Sequence, residues 1–180
     1  LFGVSPGEEK DISVVRNDSG GVGAFFSPFV KEEDSEGIKV GSDGTISKRR
    51  VYPGGFSGHW VWSPELKKDV YLKWVATGLA SEPREYSARF FCDNFGALYV
   101  NGEKICDGVG YSVGWTGALT LRNGDVVTLD CHDEDAPRRG SAGVFFALSD
   151  GETTLASAEE FRYAFAEPSD AWRTSADGLD

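Results

Sequence analysis

Four residues have the types and surroundings to meet a small ligand: Asp93 and Asn94, and further along Tyr111 and Trp115. The last two lie in GVGYSVGW, a run too rich in glycine to make a good strand. An aromatic face left open in such a loop can stack on the C–H face of a sugar while Asn and Asp take its hydroxyls. The competing use of Trp115 is to plug the end of a β-sandwich, and that of Asp93 is to fix its turn by accepting backbone N–H bonds. A second group, Asp130, Asp133 and Asp135 in DCHDED, offers the oxygen donors that calcium prefers. The run lacks EF-hand spacing and serves equally as a solvated acidic loop. Calcium is the one cofactor the sequence suggests.

Catalytic chemistry finds little support. The two histidines, His59 and His132, stand near no nucleophile in a recognisable setting, and neither G-x-S-x-G nor H-E-x-x-H occurs. Cys131 and His132 are adjacent, so on a strand they face opposite ways and cannot form a thiolate pair. The 29 acidic residues offer many carboxylate pairs, none singled out by spacing. The expectation is a non-enzyme.

The three cysteines, Cys92, Cys106 and Cys131, match no zinc pattern. Three reduced thiols are one reading. The other is a disulfide, with Cys92–Cys131 the leading candidate if their strands are neighbours in one sheet, and Cys92–Cys106 the alternative. An oxidised pair would imply an extracytoplasmic or lumenal home.

The net charge of −11 argues against nucleic acid, which requires clustered Lys and Arg, and against an anionic membrane surface. No apolar run is long enough to span a bilayer. The chain opens Leu1-Phe2-Gly3 without methionine, which is expected of a processed or trimmed product. Asn17-Asp18-Ser19 fits the N-glycosylation acceptor triplet.

These groups need a scaffold, and 23 glycines with 13% aromatics point to strands joined by many turns. HWVW (59–62), VYLKWV (70–75), EYSARFFCD (85–93), ALYVN (97–101), VVTLDC (126–131) and AGVFFALS (142–149) read as strands. Asn101-Gly102 is a hairpin turn, because both residues tolerate positive φ. In ALYVN, Leu98 and Val100 face one way and Tyr99 the other; in VVTLDC, Val127 and Leu129 alternate with Thr128 and Asp130. VGAFFSPFV (22–30) reads as a further strand, with Phe25 and Phe26 on opposite faces. ASAEEFRYAFA (156–166) fits either a short helix, with Ser157 as N-cap and Glu160 as its box partner, or a strand. The fold class is all-β, an antiparallel β-sandwich or jelly roll, with room for one short helix near the C-terminus.

Residues 88–149 resemble the galactose-binding-like β-sandwich superfamily. ARFFCDN, ALYVNGEKI, the glycine-rich loop with Trp115, LRNGDVVTLDCHDED and AGVFFAL follow one another as in non-catalytic modules of glycosidases, and HWVW resembles the strand that often precedes them. The resemblance implies a sandwich over 51–155, flanked by an extension at 1–50 and another at 156–180. It serves sugar binders, adhesion modules and packing domains alike. The leading expectation is a structural or docking subunit of a larger extracytoplasmic or lumenal assembly, with other protein subunits as partners. Trp172, alone in a polar tail, is its expected docking residue. The alternative is a carbohydrate-binding module, calcium-assisted or not.

Overall fold

The computed structural model describes residues 9–10, 35–40, 46–52, 54–62, 67–110, 113–134 and 143–176, with the backbone alone for 9–10, 35–40, 46–51 and 59. The strands among them are β1 (Glu9–Lys10), β2 (Ser35–Val40), β3 (Ile46–Tyr52), β4 (Phe56–Trp60), β5 (Asp69–Val75), β6 (Arg84–Asp93), β7 (Phe95–Val100), β8 (Glu103–Val109), β9 (Trp115–Leu121), β10 (Val126–His132), β11 (Gly143–Ser149), β12 (Thr154–Ser157) and β13 (Arg162–Ala164). One short helix, α1 (Asp170–Thr174), follows.

Two antiparallel sheets make the sandwich: five strands in the order β13-β5-β10-β7-β8, and four in the order β12-β11-β6-β9. Their facing sides are dictated by alternation. Across the five-stranded sheet, Leu72, Leu129 and Leu98 stand in one row and Trp74, Val127 and Val100 in the next. The opposing sheet contributes Phe90 beside Phe146, and Ala88 beside Leu148. Nearly all of these belong to one buried cluster, with Val100 packed at its margin. Gly96 has a specific reason to lack a side chain: a Cβ there would lie 2.5 Å from the Phe90 ring and 2.7 Å from the Cys92 Cβ.

Strand β11 is buried along its whole length, because its sheet is covered on both sides. Val144, Phe146 and Leu148 face the five-stranded sheet, whereas Phe145 and Ala147 face outward into a second, smaller cluster with Phe56 and Trp60. Tyr52 meets Phe145 edge-on at 5.0 Å and stacks on Phe91 at 5.7 Å. A four-stranded sheet, β1-β2-β3-β4, supplies this third layer through β4.

The Asn101-Gly102 hairpin forms as expected, with φ of 49° and 82°. Residues 156–166 divide between the two readings. Ser157 ends β12, Ala158–Glu160 make a single 3₁₀ turn in which Glu160 accepts from the Ser157 N–H at 3.3 Å, and β13 follows. Between them Phe161 packs on Trp74 and Phe146. The strand expected at 22–30, with Phe25 and Phe26, and the triplet at Asn17 lie outside the described residues. No helix among the described residues is long and apolar enough to cross a membrane.

Candidate functional site

The outer face of the five-stranded sheet carries the side chains that alternation turns away from the core. Register sets them in rows: Asp69–His132–Phe95, then Tyr71–Asp130–Ala97, then Lys73–Thr128–Tyr99. The C-terminal segment covers the third row. Helix α1, capped by Ser169, lays the Trp172 ring 5.2 Å from the Lys73 ammonium and the Arg173 guanidinium 5.0 Å from the Tyr99 ring. Lys73 and Thr128 are buried in consequence. The first two rows stay open and form a groove of about 250 Å³, with Asp107 and Glu167 also on its walls.

Four polar side chains of the groove, Asp69, His132, Asp107 and Asp130, are held by a partner. His132 Nδ1 and Asp69 Oδ1 are 2.7 Å apart, both substantially exposed. Arg173 donates to Asp130 at 2.6 Å and to the Pro168 carbonyl at 3.2 Å. Partial burial works against the guanidinium's charge, but its bond to Asp130 and that carboxylate's charge outweigh it and raise its pKa. Lys104 donates to Asp107 at 2.7 Å at the rim; this bond, aided by the Gly108 N–H, holds the Asp107 carboxyl below its usual range. Burial lifts the Tyr71 hydroxyl above its usual range, and the negative charges of Asp69, Glu167 and Asp130 lift it further. Tyr71 is therefore a neutral hydrogen-bond donor.

Phe95 is the open aromatic of the groove, half exposed at 50%. Tyr99 has Arg173 near its ring, and Lys104 as well at 5.6 Å. A sugar can stack on Phe95 while Asp69, His132 and Tyr71 supply directed donors and acceptors.

The residues expected from sequence are distributed differently. Trp115 begins β9 rather than sitting in a loop; it packs partly buried against the core, its ring over Gly117 of its own strand. Asn94 accepts from the Glu134 N–H at 2.8 Å and donates to Asp93 Oδ1 at 3.0 Å, so its amide ties one loop to the next. Neither Trp115 nor the Asp93-Asn94 pair lines the groove. Tyr111 lies outside the described residues. Of the calcium candidates, Asp130 is held by Arg173, Asp133 is fully buried, and Asp135 lies outside the described residues. No three His, Cys, Asp or Glu side chains gather into a metal-holding set among the described residues.

Two expectations are corrected. Trp172 is not an exposed docking aromatic: one helical turn folds it onto the sheet, where it is 8% exposed. Cys92 and Cys131 are not neighbours in one sheet. They lie on β6 and β10, in opposite sheets, and their side chains meet across the core as free thiols. Cys92 Sγ donates to the Phe95 carbonyl at 3.0 Å, and burial first, then Cys92, pushes the Cys131 thiol up. Cys106 is also a free thiol.

No protein-family model matches the chain, and no curated protein matches it. Solved structures do. The GalNAc complex of a lectin from Pleurotus ostreatus aligns with a TM-score of 0.52 at 18% identity, over 66% of this chain and 39% of the lectin's. The lectin's apo form aligns with a TM-score of 0.55 at 17% identity, over 72% and 43%. The chain shares the antiparallel β-sandwich fold of this lectin. An α-L-rhamnosidase from Streptomyces avermitilis also aligns, with a TM-score of 0.49 at 18% identity, over 67% of this chain and 13% of that one. The chain spans about two-fifths of the lectin's length.

The residues that sequence reasoning missed are Asp69, Tyr71 and Phe95. The signal was present in part: Tyr99 faces outward, and stepping back by two along the same strand reaches Ala97 and Phe95.

Proposed function

We propose that this chain is a non-catalytic carbohydrate-binding module of extracytoplasmic proteins, and that it takes a small saccharide on the outer face of its five-stranded sheet. The observation that carries this reading is the open Phe95 ring in one row with a fixed Asp69–His132 pair. Aromatic stacking supplies affinity there, and the polar pair supplies orientation. The groove is smaller than the roughly 300–1,000 Å³ of a drug-sized cleft, which suits a short saccharide better than a polymer. The fold it shares with a GalNAc-binding lectin supports the same ligand class. The docking reading loses its main support with the burial of Trp172.

The test is calorimetric titration with a panel of mono- and disaccharides. Phe95→Ala should weaken any binding at least about tenfold, equivalent to about 1.4 kcal/mol, with circular dichroism unchanged. Full retention of affinity in that variant would remove the groove as the site.

A further inference from the structure

We infer that the groove selects by charge, accepting a saccharide with a free amine and rejecting one with a carboxylate or sulfate. The inference rests on the carbohydrate reading and names the ligand class within it. Four carboxylates stand on the groove: Asp69, Asp107, Asp130 and Glu167. Among the described residues two full cations pair with these carboxylates: Arg173 with Asp130 at 2.6 Å and Lys104 with Asp107 at 2.7 Å. Among the described lining residues His132 is the basic one, and it faces Asp69 at 2.7 Å. Glu167 makes no ion pair among the described residues and is exposed. Among the described lining residues and the cations bound to them, the groove is therefore negative even with its ion pairs complete, and none of these cations is left to receive an acidic sugar.

Chemistry gives an ammonium group three matches here. Its N–H donors meet carboxylate acceptors, which are the stronger class of hydrogen-bond partner. Its charge is attracted to an open aromatic face, and Phe95 offers one. The neutral Tyr71 hydroxyl beneath remains available to a ring oxygen or hydroxyl, whether or not an amine is bound. A uronate or sulfated sugar would bring negative charge against Asp69 and Glu167 and would add desolvation to repulsion.

The experiment compares three disaccharides of equal length: one of glucosamine, its N-acetylated form, and one containing a uronate. Titration is done at a pH below the amine's pKa, first in low salt and then in high salt. The glucosamine form should bind about tenfold tighter or more than the N-acetylated form, and the uronate form should bind weakest. High salt should shrink the preference, as screening requires. Glu167→Gln and Asp69→Asn should each lower the ratio of amine to N-acetyl affinity by about threefold, because each removes one charge and keeps the shape. Equal binding of all three sugars, or a preference for the uronate, overturns the charge selection and leaves the carbohydrate reading standing. Absence of binding by every sugar, with the chain folded, overturns both.

Discussion

At the residue scale, the ion pair of Arg173 with Asp130 joins the tail to the groove. Its side chains are 12% and 23% exposed, and the second Asp130 oxygen is buried without a hydrogen-bond partner. Removing the guanidinium leaves a poorly solvated carboxylate behind. Arg173→Ala should therefore cost about 1–3 kcal/mol in denaturant unfolding, below the roughly 3–5 of a fully buried pair. Adding Asp130→Asn should recover part of that loss, since the stranded charge is then gone; a double variant worse than the single one would contradict the account. The thiols make a second prediction. Burial pushes Cys106 from 9.0 to about 11, with Asp107 adding to it against a backbone bond from Leu98, and Cys131 is raised too. Both hold their proton more tightly in the folded chain than in the unfolded one. Their stabilising contribution is complete below the unfolded thiol range and is lost as pH rises through the folded value, for Cys106 between 9.0 and about 11. Melting temperature should fall across that window, and Cys106→Ser should make the fall shallower. An identical slope in the variant would assign the alkaline loss elsewhere.

At the scale of elements, local rules carried the reading of the sequence a long way. The Asn101-Gly102 turn needs only two residues that tolerate positive φ, so it is visible in two letters. The alternation in β7 and β10 is equally local. The groove is not, because Asp69 and His132 are 63 positions apart and meet only through the register of β5 against β10. Trp172 shows the opposite failure. Its polar neighbours suggest a solvated tail, yet Ser169 caps a single turn that turns the ring inward over Lys73. Cys92 and Cys131 meet across the sandwich, and sequence cannot tell such partners from neighbours in one sheet. The tail gives the prediction proper to this scale. A chain ending at Ala166 loses the Trp172 burial, worth roughly 1.5–3 kcal/mol, together with the Arg173 pair. It should melt several degrees lower, at about 2–4 °C per kcal/mol for a chain of this size. Its Lys73 and Thr128, now buried, would become solvent-exposed. An unchanged melting temperature would return Trp172 to the surface.

At the scale of the whole molecule, three layers separate stability from the groove. The outer cluster of Trp60, Phe56 and Phe145 holds β4 against the β12-β11-β6-β9 sheet, while Phe95 and Asp69 lie on the far side of the five-stranded one. Trp60 is 1% exposed and packs on Phe91 and Phe145 at 6.2 and 6.1 Å. Trp60→Ala opens a cavity between the β1-β2-β3-β4 sheet and the β12-β11-β6-β9 sheet and should cost about 3–5 kcal/mol. That corresponds to a fall on the order of 6–20 °C in melting temperature. The groove should not register the change, because distant sites without shared partners behave additively. Saccharide affinity of the folded Trp60→Ala chain, measured well below its melting point, should therefore match the parent. Combining it with Phe95→Ala should reproduce the melting loss of the first and the affinity loss of the second. A several-fold fall in affinity from Trp60→Ala alone would mean that the four-stranded sheet transmits strain across the core, through contacts such as Phe90 over Gly96, to the strand that carries Phe95.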